Sequence, residues 1–172
     1  MLAENGLTEA VATGYTVSAY VGALATPDAA EGRYATTGAV VTIQTDNGPI
    51  QATTAETGKF TLENVPNGTY EATITYQYGF TRTFTIIVNG GNVDTNTMVG
   101  IVGCDWNGDG NINVNDYMIY NSKYFLDSSS DGYDLGIDIT RDGIINVNDY
   151  MIYYAFYFQS ADSMSYTNTV IQ

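Results

Sequence analysis

The stretch Asn113-Val-Asn-Asp-Tyr-Met-Ile-Tyr120 occurs a second time, unchanged, at residues 146–153. Outward from it, residues 105–125 and 138–158 align without a gap and agree at 14 of 21 positions. An identity this long, in register over two segments, indicates a duplicated structural unit. The C-terminal part of the chain is therefore predicted to fold as two copies of one unit.

Both copies carry oxygen-bearing side chains at the spacing of an EF-hand calcium loop. Such a loop supplies ligands from positions 1, 3, 5, 7, 9 and 12 and has glycine at position 6. Gly110 and Gly143 fill that glycine position here, so we expect two Ca²⁺ ions. The candidate ligands are Asp105, Asn107, Asp109, Asn111, Asn113 and Asp116 in the first loop, and Asp138, Thr140, Asp142, Ile144, Asn146 and Asp149 in the second.

The two loops are not expected to be equivalent. Thr140 offers a hydroxyl, a weaker ligand than the amide of Asn107 in the first loop, so the second site should bind calcium more weakly or with an extra water. Ile112, at position 8, should form a small β-bridge between the paired loops, and Trp106 should pack against the C-terminal tail near Tyr166. The alternative is two Asp- and Asn-rich turns without metal, which explains the residue types but not their recurrence in register.

Each loop leads into one predicted helix, over residues 116–126 and 149–158. No helix is expected before the first loop, because the strand-like residues 95–102 run almost directly into it. The second helix has one polar residue in ten, and a helix that is apolar on every side is normally buried on every side. A unit this small can bury only one stripe, so the other should meet a partner protein. The alternative is that the N-terminal half of the chain covers that stripe.

Residues 1–102 follow a period of two instead. In residues 69–78, apolar side chains alternate with Thr, Glu and Gln, as in a strand that is buried on one face. Turn residues separate seven such runs. We predict an all-β, seven-stranded antiparallel sandwich in residues 1–102, with its core at about 14–102, and a small α-helical calcium module in residues 103–172. The seven runs are 15–21, 39–44, 50–54, 59–63, 69–78, 81–88 and 95–102.

Both parts of the chain resemble known families. The duplicated half EF-hand of residues 103–160, a loop with one exiting helix, resembles a cellulosomal dockerin. Residues 14–102 resemble the carboxypeptidase regulatory-like family, which has a transthyretin-like sandwich, through segments 38–43, 57–62 and 65–70. The resemblance implies a dockerin preceded by an accessory X-type module. Such a chain would anchor a secreted enzyme or scaffoldin to a cohesin domain of a scaffoldin or cell-surface anchoring protein, with the sandwich as spacer or stabiliser.

The dockerin resemblance also implies where the cohesin binds. In that family the contacts come from loop positions 10 and 11 and from the exposed face of the helices. The near-identity of the repeats allows two docking orientations, and the residues that differ after Tyr120 and Tyr153 favour one of them. The class of cohesin stays open. The implied contacts are Val114, Asn115, Asn121 and Ser122 in the first repeat, and Val147, Asn148, Tyr154 and Ala155 in the second.

The charge balance argues against several other functions. The chain has 5 basic and 19 acidic residues and a net charge of −14, which would repel nucleic acid and anionic membranes. It has no histidine and a single cysteine, so an intrachain disulfide and the commonest acid–base catalyst are both excluded. No apolar run is long enough to predict membrane insertion.

We therefore expect a protein that is not an enzyme and that is extracellular or at the bacterial cell surface. Its signal peptide and further domains are expected to lie outside this sequence, because the N-terminal residues lack the basic and apolar regions of a signal peptide. The alternative function is a calcium-stabilised structural or adhesion module of a bacterial surface protein, without a cohesin partner.

Overall fold

Two β-sheets pack face to face and are followed by two short helices in the computed structural model, which describes residues 14–172. Residues 1–13 of the predicted first domain lie outside the described residues. The strands are β1 Tyr15–Ala23, β2 Tyr34–Ala35, β3 Val40–Thr45, β4 Gly48–Thr53, β5 Lys59–Val65, β6 Gly68–Thr75, β7 Arg82–Val88, β8 Val93–Ile101 and β9 Val170–Ile171, and the helices are α1 Val114–Lys123 and α2 Val147–Phe156.

The core of the sandwich follows from the alternation that the sequence predicts. In β6, Ala72 and Ile74 are fully buried, whereas Thr69 and Glu71 face solvent. Because successive side chains of a strand point to opposite faces, each strand contributes every second residue to the space between the sheets. Most of these residues are aliphatic, and burying their surface is the main term that favours this half of the fold.

The strand directions correct one part of the prediction. In the first sheet β2 and β5 pair antiparallel with β1, whereas β8 pairs parallel with it. The second sheet has the order β4-β3-β6-β7-β9, and β9 is parallel to β7. Each of the seven predicted runs overlaps a strand, but the prediction of a wholly antiparallel sandwich is wrong at these two pairings. Alternation reports which face is buried and carries no information on strand direction.

The C-terminal tail supplies β9, one of the two strands that the structure has beyond the seven predicted runs. It leaves the second helix, returns to the sandwich and adds β9 at the edge of β7. Arg82, only 2% exposed, lies under this tail and donates hydrogen bonds to the Thr167 carbonyl (2.6 Å) and to Thr169 Oγ1 (2.8 Å). Its guanidinium carbon also lies 4.8 Å from the centre of the Tyr166 ring, within the range of a cation–π contact. The tail therefore ties the end of the helical part to the sandwich.

A second apolar cluster joins the sandwich to the helical part. Leu24, Phe80 and Val102 at the end of the sandwich belong to the same buried cluster as Trp106 and Phe156. Neither helix within residues 14–172 is long and apolar enough to cross a membrane. The predicted division into residues 1–102 and 103–172 stays a prediction.

Polar contacts bring the sandwich to both predicted loops. The Tyr78 carbonyl accepts a hydrogen bond from the Asp105 backbone N–H at 3.0 Å, and the Tyr78 hydroxyl donates to Asp134 Oδ2 at 2.8 Å. Arg141, in the second loop, donates from Nε to the Ala35 carbonyl at 2.8 Å. The turn between β6 and β7 therefore lies between the start of the first loop and the approach to the second.

Candidate calcium loops and docking face

The first predicted loop folds around its own carboxylates. Asp105, at position 1, accepts backbone N–H bonds from positions 5 and 6 at 3.1 and 2.9 Å. Asp116, at position 12, accepts backbone N–H bonds from Asn107 (3.2 Å) and Asn113 (2.9 Å). Gly110 lies at φ 79°, the left-handed region that favours glycine. The loop therefore brings its first and last carboxylates into one closed turn.

The second loop repeats this arrangement at equivalent atoms. Asp138 accepts backbone N–H bonds from positions 5 and 6 at 3.3 and 2.9 Å, and Asp149 accepts them from Thr140 and Asn146, both at 2.9 Å. The Thr140 hydroxyl donates to Asp149 Oδ1 at 3.0 Å, and the Tyr133 hydroxyl donates to Asp138 Oδ2. Asp138 and Asp149 of the second loop thus each accept a hydrogen bond from a hydroxyl. The equivalent carboxylates of the first loop, Asp105 and Asp116, accept none from a hydroxyl within the described residues.

Four carboxylates of these loops are buried without a cationic side chain. Asp105 is 4% exposed, and Asp116, Asp138 and Asp149 are 0% exposed. The one ion pair among residues 14–172 lies in the sandwich, away from the loops. Isolated buried carboxylates are costly unless a cation or several hydrogen bonds offset the lost hydration.

The environment affects the ligand candidates in two opposite ways. Burial raises the pKa of Asp105 and of Asp149 above the usual value of an aspartate. The pKa of Asp109 is lowered, chiefly by a hydrogen bond from the Asn107 side chain. The pKa of Asp142 is lowered in the same way by Asn146. The buried carboxyls of Asp105 and Asp149 are therefore harder to ionise without a cation, whereas the exposed carboxyls of Asp109 and Asp142 stay ionised.

The donor set of each loop fits calcium better than other metals. Within residues 14–172, no three acidic, thiol or imidazole groups converge closely enough to form a metal site by themselves. Each loop instead offers three Asp side chains with amide and main-chain carbonyl oxygens, and the second loop adds the Thr140 hydroxyl. Calcium accepts such mixed, hard oxygen donors in a flexible loop, whereas zinc prefers nitrogen and sulfur. The residues present thus fit Ca²⁺, and the two ions stay a prediction.

The loops also determine where the helices begin. Asn113 and Asn146 are the N-caps of α1 and α2, and Asp116 and Asp149 complete a capping box in each. The helices therefore start at Val114 and Val147, two residues before the predicted starts, because the capping asparagines satisfy their first N–H groups. They end at Lys123 and Phe156, before the predicted Leu126 and Phe158, because Tyr124 and Tyr157 leave the helical region with ψ of 134° and 133°.

The two repeats brace each other crosswise. The Ile112 carbonyl accepts a hydrogen bond from the Phe158 N–H at 2.9 Å, and the Ile145 carbonyl accepts one from the Phe125 N–H at 2.8 Å. The predicted bridge from loop to loop is therefore wrong. Each loop pairs instead with the segment that follows the helix of the other repeat, which lies antiparallel to it.

Aromatic side chains complete the packing between the helices. Trp106 stacks on Tyr120 and on Tyr153, with ring centres 6.0 and 5.5 Å apart, and donates from Nε1 to the Gly136 carbonyl at 3.2 Å. Tyr166, the predicted neighbour of Trp106 in the C-terminal tail, packs against the same apolar cluster, and its ring also lies against Arg82 of the sandwich.

One face of the helices stays open to solvent. Seven of the eight implied cohesin contacts are exposed, namely Val114, Asn115, Asn121, Ser122, Val147, Asn148 and Tyr154, and Ala155 is half-buried. The alternative that the sandwich covers this face is therefore wrong. Sequence reasoning missed Met118 (61% exposed) and Met151 (58% exposed). Counting four residues onward from Val114 and Val147 would have found them, because residues at that spacing share a helix face.

Among the solved structures that are similar to this chain are the following two, whereas no protein-family model and no curated protein matches it. Both come from type II cohesin–X-dockerin complexes of Acetivibrio cellulolyticus, one an N-terminal and the other a C-terminal interface mutant. The TM-score is 0.58 for each, with 24% and 25% identity, and each match covers 87% of this chain and 99% of the other.

The likeness shows the fold, which is a β-sandwich of the kind found in those complexes, followed by two short helices. A match over 87% of the chain is too long to be confined to the strands before Ile101. It therefore extends into residues after Ile101.

Proposed function

We propose that this chain is a calcium-dependent docking module that binds a cohesin domain of a scaffoldin or of a cell-surface anchoring protein. In this role it anchors a secreted enzyme or scaffoldin into a cellulosome-type complex or onto the bacterial surface. The observation that carries the proposal is the uncovered apolar face on two helices whose first turns are part of the predicted calcium loops. The similar solved structures are cohesin–X-dockerin complexes, which supports the same class of partner.

The calcium dependence follows from residues shared between the loops and the helices. Asp116 and Asp149 are candidate ligands and also cap α1 and α2. An ion held by either carboxylate would offset its burial and so favour the conformation in which the following helix is capped. Without the ion, repulsion among three loop carboxylates opposes that conformation. The exposed faces of both helices are then less well ordered for a partner.

The sandwich acts as a spacer and stabiliser in this proposal. It contacts both predicted loops through Tyr78 and Arg141 and is tied to the chain end by the tail under which Arg82 lies. None of these contacts covers the exposed faces of the helices, so the sandwich can stabilise the helical part without competing with the partner. The role is one of binding and involves no catalysis.

Isothermal titration calorimetry against a panel of cohesins, starting with a type II cohesin, tests the proposal. We expect binding in calcium that is abolished by EDTA and by Asp105→Ala combined with Asp138→Ala. The matched control Asp162→Ala, exposed and outside both loops, should bind like the unmodified protein. Calcium-dependent folding without binding to any cohesin would contradict docking and would indicate a structural or adhesion module instead.

A further inference from the structure

Two apolar cavities open side by side between α1 and α2. Their volumes are about 240 and 280 Å³, each sufficient for one large aliphatic side chain. Every residue that lines the first cavity has its equivalent in the other repeat, 33 positions away, in the lining of the second cavity. The two cavities are therefore related by the internal duplication. The first is lined by Tyr117, Tyr120, Asn121, Tyr124, Val147 and Tyr150, and the second by Tyr150, Tyr153, Tyr154, Tyr157, Val114 and Tyr117.

The two cavities share a wall and differ at one position. Tyr117 and Tyr150 line both, with ring centres 6.1 Å apart and planes at 72°. Asn121 lines the first cavity where Tyr154 lines the second. The Tyr154 ring stacks on Tyr150 at 6.0 Å, so the second cavity has an additional aromatic wall. The pair is therefore geometrically symmetric but chemically unequal.

The walls select an uncharged, apolar occupant. Neither cavity is lined by a charged side chain, although the chain has a net charge of −14. The Tyr120 and Tyr153 hydroxyls already donate to the carbonyls of Asn146 and Asn113, both at 2.8 Å. A charged group entering here would lose its hydration without a counter-ion, which favours an uncharged occupant.

The position of the cavities identifies the source of that occupant. Val114 and Val147 lie at their rims, are 55% and 54% exposed, and belong to the face proposed for docking. The similar solved structures are complexes with a cohesin, which makes the docking partner, rather than a second copy of the chain, the occupant. An uncharged partner face that projects two aliphatic side chains is complementary to the two cavities in polarity and in shape.

We infer that the two tyrosine-lined cavities each receive an aliphatic side chain, of leucine or methionine type, from the docking partner. Because of the additional ring of Tyr154, the second cavity binds its side chain with higher affinity than the first. This inference rests on the proposed docking function and assigns the residue that sets the preferred orientation. Tyr120 and Tyr153 also link the cavities to the loops, because each bonds a main-chain carbonyl at position 9 of the other repeat's loop.

The cavities can be tested without a partner protein, by NMR of ¹³C-methyl-labelled valine in the full chain. N-acetyl-leucinamide serves as the aliphatic probe and N-acetyl-serinamide as the polar control. We expect saturable shifts of the Val114 and Val147 methyls with the leucine probe alone. Tyr154→Asn, at an exposed position, should weaken probe binding in the second cavity by about five-fold, whereas Asn121→Tyr should tighten it in the first.

The inference would be overturned if the methyl shifts did not saturate with the leucine probe, or if probe binding were the same in both variants as in the unmodified chain. Methyl shifts that depend on protein concentration, with dimers in sedimentation, would also overturn it in favour of a second copy. The same variants are then titrated with a type II cohesin. Equal cohesin affinity for Tyr154→Asn and the unmodified chain would refute the role of the cavity while docking stands. Probe binding without cohesin binding would refute docking while the cavities stand.

Discussion

Removal of calcium should lower the melting temperature of this protein by about 10–20 °C. The structure buries Asp105, Asp116, Asp138 and Asp149 to 4% exposure or less and gives them no cationic side chain. At free calcium one hundred times the dissociation constant, each site would add about 2.7 kcal/mol to the free energy of unfolding. Two sites add about 5 kcal/mol, and a chain of this size shifts by roughly 2–4 °C per kcal/mol.

Differential scanning calorimetry in millimolar calcium and in EDTA measures this shift directly. Asp116→Ala and Asp149→Ala should each remove part of the difference between the two conditions, since each deletes the closing carboxylate of one loop. The loss should be larger for Asp116→Ala, because the second site is expected to bind calcium more weakly. Asp162→Ala, exposed and outside the loops, should leave the difference unchanged. Equal melting temperatures in calcium and EDTA would refute the assignment of both loops. A shift that survives both loop substitutions would place the ion elsewhere.

Two further predictions concern contacts that only the folded structure shows. Arg82→Met should lower the free energy of unfolding by about 2–4 kcal/mol, because three hydrogen bonds from a buried cation are lost and their acceptors stay partly buried. The exposed Arg33→Met should change it by less than about 0.5 kcal/mol, and equal effects in urea unfolding would contradict the role of the buried arginine. Tyr153→Phe should cost about 1 kcal/mol by deleting the bond to the Asn113 carbonyl. Tyr157→Phe, whose hydroxyl makes no such bond in the described residues, is the matched control, and a loss as large as that of Tyr153→Phe would show that the bond does not matter.

The two loop turns and the seven strand-forming runs could be predicted because they depend on local chemistry, whereas calcium binding stays a prediction. Ligand spacing in a loop is fixed by the backbone of twelve consecutive residues, so Asp105 and Asp116 can be assigned without knowing what surrounds them. Alternation in a strand reports a buried face whatever the identity of the neighbouring strand, and Ala72 and Ile74 are buried as that pattern requires.

Features that depend on distant partners were missed or mistaken. The strand β9 has two residues, too few for any periodic signal, and its place beside β7 depends on Arg82 beneath the tail. The bridge expected between loops fails because Ile112 pairs with the chain after α2, at a distance in sequence that no local pattern encodes. Met118 and Met151 lie on the exposed face because each follows an exposed valine by four residues in a helix. This spacing is visible in the sequence, but it identifies the exposed face only once the exposure of the valines is known.

The sequence by itself determined the duplicated loops, their ligand types, the acidic charge and the two kinds of periodicity, because each is written in residues close together along the chain. Only the tertiary structure decided which stripe of each helix stays exposed. That depends on Trp106 entering between Tyr120 and Tyr153 and on where the sandwich ends. The paired cavities belong to the same group of features, since their walls come from two helices that meet only when the repeats fold against each other.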